Sequence, residues 1–333
     1  MQNRLTLSGS LLLLCVALSA PSRADEVIVL SVPGPGSLSF LPAYLAKAIG
    51  ADQAEGLSLK LRYAAGGPLA LRDLNDNNSD FAVAGLPAIA SARADGMPVF
   101  AIGQLSQAAI FVLLLRADLK DQIHDISQLK GKRIGTPSST STARSMGAMV
   151  AGLILQHAQL KLSDVQFVST GHSFASAQAA LSSGSVDAIL VAEPFASELI
   201  AQGAAVKLSD SSDPASSSDF LGAPVIHAAL ATRESIYTEH PAIVKKMQRV
   251  FARTLTWLTQ HTPQQVVEQL VEQPGFDANA RQATEELLQH NSHMFTQQIT
   301  WDEQTVANTE RFFHRAAEDR KELQLNFSEF LRN

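Results

Sequence analysis

The sequence predicts an α/β protein of two similar lobes, and three observations carry the prediction. Short β-branched runs alternate with Ala/Leu-rich stretches of helical period over the first two thirds of the chain. SDFAVAGLPAIAS, from Ser79 to Ser91, returns as VDAILVAEPFAS, from Val186 to Ser197; Asp80 and Asp187, like Pro87 and Pro194, stand 107 positions apart. At 333 residues the chain also exceeds the length at which single cores stop growing, roughly 250–300 residues.

In chain order, residues 1–24 read as a secretory signal peptide. Arg4 lies in a short polar start, LLLLCVAL (Leu11 to Leu18) is unbroken apolar sequence, and Ser22-Arg23-Ala24 supplies small residues for cleavage. A membrane span needs about 20 apolar residues, far more than this run holds. Leu14 precedes Cys15 where a lipoprotein site wants a small residue, so Cys15 is expected to leave with the signal. Loss of Arg4 and Arg23 leaves 24 basic side chains against 32 acidic ones, a net charge of −8 compared with −6 for the whole chain. The mature protein is expected to be exported, soluble, acidic and free of thiols, with no stable membrane insertion.

Strands are predicted at Val27–Val32, Leu57–Ala64, Asp80–Gly85, Val99–Leu105, Ile110–Arg116, Arg133–Thr136, Val165–Thr170, Asp187–Ala192, Ala205–Leu208 and Ala223–Thr232. Amphipathic helices separate most of them. Ser209–Asp219 reads as a polar loop. From about Pro241 helices take over: HPAIVKKMQRVFARTLTWLTQH puts Ile243, Val244, Met247, Val250, Phe251, Leu255 and Leu258 on one stripe, with Pro241 suited to the first turn. Further helices are expected over Pro263–Gln273, Ala278–His290 and Trp301–Leu323. Ile110–Arg116 going out and Ala223–Thr232 coming back insert one lobe in the other: 25–114 with 227–333, and 115–226. Such paired crossings are natural hinges.

Composition narrows the function. A chain with 46% hydrophobic and 17% charged residues is not largely disordered. Without a Lys/Arg block it lacks the basic face that nucleic-acid phosphates require. One cysteine makes neither an internal disulfide nor a multi-thiolate metal site, and no H-E-x-x-H, C-x-x-C or paired-His spacing occurs.

Several turns sit where ligands of open α/β sheets bind, at the carboxyl ends of strands. PGPGSLSF (Pro33 to Phe40) offers Gly34 and Gly36, but Ser39 replaces the third glycine of a dinucleotide loop and no acidic residue ends the second strand. The remaining physics is close backbone approach, the hydroxyls of Ser37 and Ser39, and free N–H groups of the following helix. Ser138, Ser139, Thr140, Ser141 and Thr142 form a hydroxyl run ahead of a helix predicted at Ala143–His157. One of them suffices as an N-cap, and the excess suits a polar ligand. Gly66 and Gly67, and Gly171 with His172, mark two more such turns. Ser173, in Gly171-His-Ser-Phe-Ala175, stands where a hydrolase nucleophile could sit, although Ala175 replaces the usual glycine and a helix start is the plainer account. Glu193 ends an otherwise apolar strand, where it either accepts hydrogen bonds from a ligand amine or amide, or pairs with hinge backbone. Its repeat mate is Leu86.

At these residues the chain resembles the periplasmic substrate-binding proteins of ABC importers, in the branch associated with nitrate, sulfonate, taurine, bicarbonate and thiamine-precursor uptake. LPAYLAKA after the first turn, DISQLKGKRIGTP, ALSSGSVDAILVAEPF and ATRESIYTEHPAIVKKM carry the resemblance over most of the mature chain. It implies the type II periplasmic-binding-protein fold, two mostly parallel sheets flanked by helices and joined by two hinge strands. It implies no cofactor and no metal, a monomer in the periplasm, and partners in a membrane permease with a cytoplasmic ATPase. Carried over by position, the ligand loops fall on Ser37, Leu38, Ser39, Phe40, Gly66, Gly67, Gly85, Leu86, Pro87, Ser138 to Thr142, Gly171, His172, Glu193 and Pro194. Many relatives have an aromatic residue where this chain has Ala192. With few rings nominated, a small oxyanion held by hydroxyls and backbone is expected over a stacked heterocycle. The alternatives are a thiamine-precursor pyrimidine or other nitrogen heterocycle as ligand, or a serine hydrolase using Ser173. Related pyrimidine synthases need cysteines that the mature chain lacks.

Overall fold

A computed structural model describes residues 25–138, 145–212, 221, 223–291, 294–316 and 325–333. In the first lobe, β1 (Glu26–Pro33), β2 (Leu57–Ala64), β3 (Phe81–Gly85) and β4 (Val99–Ser106) alternate with α1 (Leu41–Ala48), α2 (Gly67–Asn75) and α3 (Leu86–Ala94). The second repeats the plan: β5 (Phe111–Arg116), β6 (Arg133–Thr136), α4 (Met146–His157), β7 (Gln166–Ser169), α5 (Phe174–Ser182), β8 (Ala188–Ala192), α6 (Phe195–Ala201) and β9 (Ala205–Asp210). The chain then returns through β10 (Ala228–Arg233) to α7 (Glu234–Glu239), α8 (Pro241–Gln260), α9 (Pro263–Glu268), α10 (Ala278–His290) and α11 (Glu303–Ala316).

All ten predicted strands form, in two five-stranded sheets ordered β2-β1-β3-β10-β4 and β7-β6-β8-β5-β9. β1 is parallel to β2 and β3, and β6 to β7 and β8, while β10 and β5 each run antiparallel to both neighbours. The two sheets thus share one topology, with the antiparallel place filled by the strand that has just crossed over. The expected boundary between residues 114 and 115 falls inside β5. That strand pairs with β8 and β9 from Phe111 or Val112 onward, so the first crossing is 107–110 and residues 111–114 belong to the second sheet.

The repeat has a structural cause. Asp80 N donates to the Val29 carbonyl and its Oδ2 accepts from Val29 N; Asp187 makes the same exchange with Arg133. Asp80 thus locks β1 to β3, and Asp187 locks β6 to β8, at the edge away from the turns.

Helix length departs from expectation where caps decide it. Ser145, not the hydroxyl run, caps α4 by accepting from Ala148 N. Nine of the twelve α4 residues are buried, because the helix packs on its own sheet and also on α3 and α11 of the other lobe. α9 stops at Glu268, short of the predicted Gln273. α11 begins at Glu303, and the end predicted for it at Leu323 lies outside the described residues. Strand alternation divides the core: Phe111, Leu113 and Leu115 face the large cluster that runs through both lobes, whereas Val112 and Leu114 join a smaller one with Ala177, Leu181 and Leu199.

Candidate functional site

The turns after β1, β2, β3 and β7 meet between the sheets. After β1 the chain forms a 3-10 turn, Leu38–Phe40, and every residue from Ser37 to Phe40 is buried. Tyr44 of α1 fixes this turn by donating its hydroxyl to the Gly34 carbonyl at 2.7 Å. Gly34 has φ +55°, and a Cβ built there would lie 1.8 Å from the His172 carbonyl oxygen. Only glycine lets the two lobes approach at that point. A direct bond joins them nearby, from Leu38 N to the Glu193 carbonyl at 2.9 Å.

Between the lobes lies a narrow gap of about 10 Å³, room for little more than one water, lined by Phe40, Gly67, Gly85, Ala88, Phe111, Ser145, Met146, Gly147, His172 and His227. Both lobes contribute. Phe40 lies 5.8 Å from the His172 ring and 5.7 Å from that of His227, and Phe111 lies 5.2 Å from His227. Burial pushes the His172 imidazole down to about 4; burial and then the His172 charge push His227 to about 3. Both rings are neutral at pH 7. Their Nδ1 atoms are buried without a hydrogen-bond partner, as are Ser37 Oγ and Ser39 Oγ. Buried polar atoms normally find partners, so the two imidazoles that line the gap, with the two hydroxyls of the turn ending at Phe40, are groups left to hydrogen-bond something else.

The other nominated residues are placed as follows. Gly66, with φ 131°, caps α2, and Gly67 backs the cavity against Ala84 and Ala88. Leu86 and Pro87 are buried at the start of α3, where Leu86 N donates to the His227 carbonyl. Ser138 holds the turn after β6, its carbonyl accepting from Gly171 N and from the Ser169 hydroxyl. Ser139, Thr140, Ser141 and Thr142 lie outside the described residues. Glu193 is buried, but Ser197 N and Oγ donate to its two carboxylate oxygens at 3.0 and 3.1 Å. Its side chain therefore serves the first turn of α6, and its backbone carbonyl makes the contact between lobes. Burial raises its carboxyl to about 7 against those bonds.

Ser173 is a helix cap. Its Oγ accepts from Ser176 N and bonds to Ser176 Oγ at 3.0 Å, and no imidazole among the described residues bonds it. Arg72 is exposed. Among the described residues no group of three His, Cys, Asp or Glu could hold a metal, and no helix is long and apolar enough to cross a membrane.

Sequence reasoning missed Phe111, Met146 and His227. It expected few rings at the site, and the fold brings four together by delivering Phe111 and His227 from the two crossings. Their one signal was position, at the openings of the strands that cross between the lobes.

Residues 37–265 match the family described as NMT1/THI5 like. The chain belongs to that family. A curated chain of Brucella abortus (strain 2308), named as a candidate binding protein, is 26% identical over 214 residues, 63% of this chain and 60% of that one. The match thus spans less than two thirds of that relative's length. Among solved structures, a protein of Bordetella bronchiseptica RB50 superposes with TM-score 0.82 at 20% identity, covering 93% of this chain and 95% of that one. The alkanesulfonate-binding protein SsuA of Xanthomonas axonopodis pv. citri, solved with MOPS bound, gives TM-score 0.68 at 17% identity over 94% and 99%. These likenesses establish the two-lobed periplasmic-binding-protein fold.

Proposed function

We propose that the protein is the solute-binding component of an ABC importer. It captures a small organic oxyanion, sulfonate-like above all, between its lobes and delivers it to a membrane permease. The observation that carries this reading is the set of unpartnered buried groups, Ser37 Oγ, Ser39 Oγ and the imidazoles of His172 and His227, drawn from both lobes and set against Phe40 and Phe111. Hydroxyls and neutral imidazole N–H groups donate to an anionic head without burying a counter-charge, and the rings cover an apolar body. Nitrate and bicarbonate share the head chemistry but not the body. The sulfonate-binding Xanthomonas structure supports the reading through its shared fold.

The proposal includes export through residues 1–24 to the periplasm, action as a monomer, and binding without catalysis. Two lobes built on the two sheets close about the crossings at 107–110 and 223–227. Ser211 grips the first, its hydroxyl accepting from Phe111 N at 2.8 Å, and His227 N and Ala228 N bond Ser106 at the second.

The ring cluster favours a second reading, a flat nitrogen heterocycle of the thiamine-precursor kind slotted between Phe40, Phe111 and the imidazoles. One screen separates the two. Alkane- and arylsulfonates, taurine, nitrate, bicarbonate and a hydroxymethyl-aminopyrimidine are tested for a rise in melting temperature; ligand at 100 times its Kd stabilises by about 2.7 kcal/mol. Sulfonates are expected to shift it. A shift with the pyrimidine alone installs the second reading, and none at millimolar ligand removes both.

A further inference from the structure

Outside the ligand cavity the lobes meet again where α6 of the second packs on α10 of the first. Glu198 sits in this contact with 8% of its surface exposed, and its Oε1 is buried with no hydrogen-bond partner. Its surroundings repel a negative charge. Asp277, the N-cap of α10, and Glu193 are the charged groups that bear on it. Asp277 is held there by its own bonds, Oδ1 accepting from Asn279 N and Ala280 N at 3.0 Å.

The other charges nearby are already engaged. On β9, Lys207 pairs with Asp210 at 3.1 Å, and Asp210 also accepts from Ser212. On α10, Arg281 donates to the Phe276 carbonyl, and Glu286 accepts from Gln282. Glu285 lies farther along that helix, and Glu286 and His290 line the adjoining crevice with Ser197 and Asp210.

We propose that Glu198 is a proton-operated latch between the lobes: the molecule shuts with Glu198 protonated, and loss of that proton drives α6 and α10 apart. An ionised carboxylate is costly where one of its oxygens is buried unpartnered, Asp277 faces it and no cation offsets it. The geometry and the acidity agree, since burial first, then Asp277 and Glu193, raise this carboxyl from 4.5 to about 7. In the open molecule water reaches α6 and the ordinary value returns. The shut state therefore binds more protons between about pH 4.5 and 7, so closure is favoured as pH falls and lost as it rises through about 7. The inference rests on the two-lobed closure proposed above, and its test needs no ligand, so its failure leaves the binding function standing.

The test follows the radius of gyration of the full chain by X-ray scattering from pH 5 to 8.5, with carbon-13 NMR of labelled glutamate carboxyls assigned through Glu198→Gln. The closing constant is expected to fall about tenfold per pH unit between about 5 and 7, with Glu198 titrating near neutrality. Glu198→Gln stays compact throughout, and Asp277→Asn, which keeps the helix cap, shows a shallower dependence. A radius independent of pH in the wild type, or Glu198 titrating in its ordinary range, overturns the latch. Closure at pH 8.5 on adding millimolar calcium makes the contact a cation site and overturns it too.

Discussion

At the scale of single residues, the cleft depends on atoms that leave room or lack partners. Gly34 shows the first. Its positive φ and the 1.8 Å from a built Cβ to the His172 carbonyl leave no space for alanine in the shut molecule. Gly34→Ala is expected to hold the lobes apart and weaken ligand binding more than tenfold, since the left-handed conformation alone costs alanine about 1–2 kcal/mol and the clash adds to it. Calorimetric titration with the ligand found in the screen checks this; unchanged affinity would remove Gly34 from the lobe contact. Gly34, Ser37 and Ser39 were legible because a strand–turn–helix boundary with glycines and hydroxyls advertises a ligand turn. His227 and Phe111 were not, because a lone His or Phe at the head of an apolar strand looks like core. What brings them to the gap between the lobes is a neighbour more than a hundred positions away, which no local pattern encodes.

At the scale of elements, the aspartates that precede β3 and β8 do equivalent work. Asp187 accepts from Arg133 N at 2.9 Å and from Arg133 Nη2 at 2.8 Å, with Arg116 3.6 Å away. The side-chain bond from Arg133 holds its carboxyl below the ordinary range, so its stabilisation is present above that range and lost as pH falls through it. Asp187→Ala is expected to cost about 2–3 kcal/mol, the worth of bonds to a charged group, and to flatten acid unfolding near pH 4 in denaturant titrations. A cost below about 0.5 kcal/mol, the scale of an ordinary surface substitution, would show that the strand edge does not need the lock. Nine strands fall within two residues of their predicted ends, because β-branched runs bounded by glycine and proline have few other uses; the tenth, predicted from Ala223, begins only at Ala228. Helix ends were less legible: Ser145 beats five upstream hydroxyl residues as the cap of α4, and tertiary position decides which serine lies at the first turn.

At the scale of the whole molecule, one apolar cluster continues from the first lobe through α4 into the second. The shut protein is therefore expected to unfold as one cooperative unit, with calorimetric and van't Hoff enthalpies equal at pH 5.5, where the Glu198 latch is closed. Two resolved transitions at that pH would show that the lobes are joined by their crossings alone. The sequence by itself determined the ten strands, the duplicated strand order of the two sheets and the turns at the carboxyl ends of strands. Periodicity and turn chemistry are local, and a repeat is visible without coordinates. Tertiary structure alone decided that β5 lies wholly in the second sheet, that Phe111 and His227 complete the cleft, that Glu193 turns its carboxylate to Ser197, and that Glu198 meets Asp277. Each is a contact between distant segments, fixed by how two finished lobes pack.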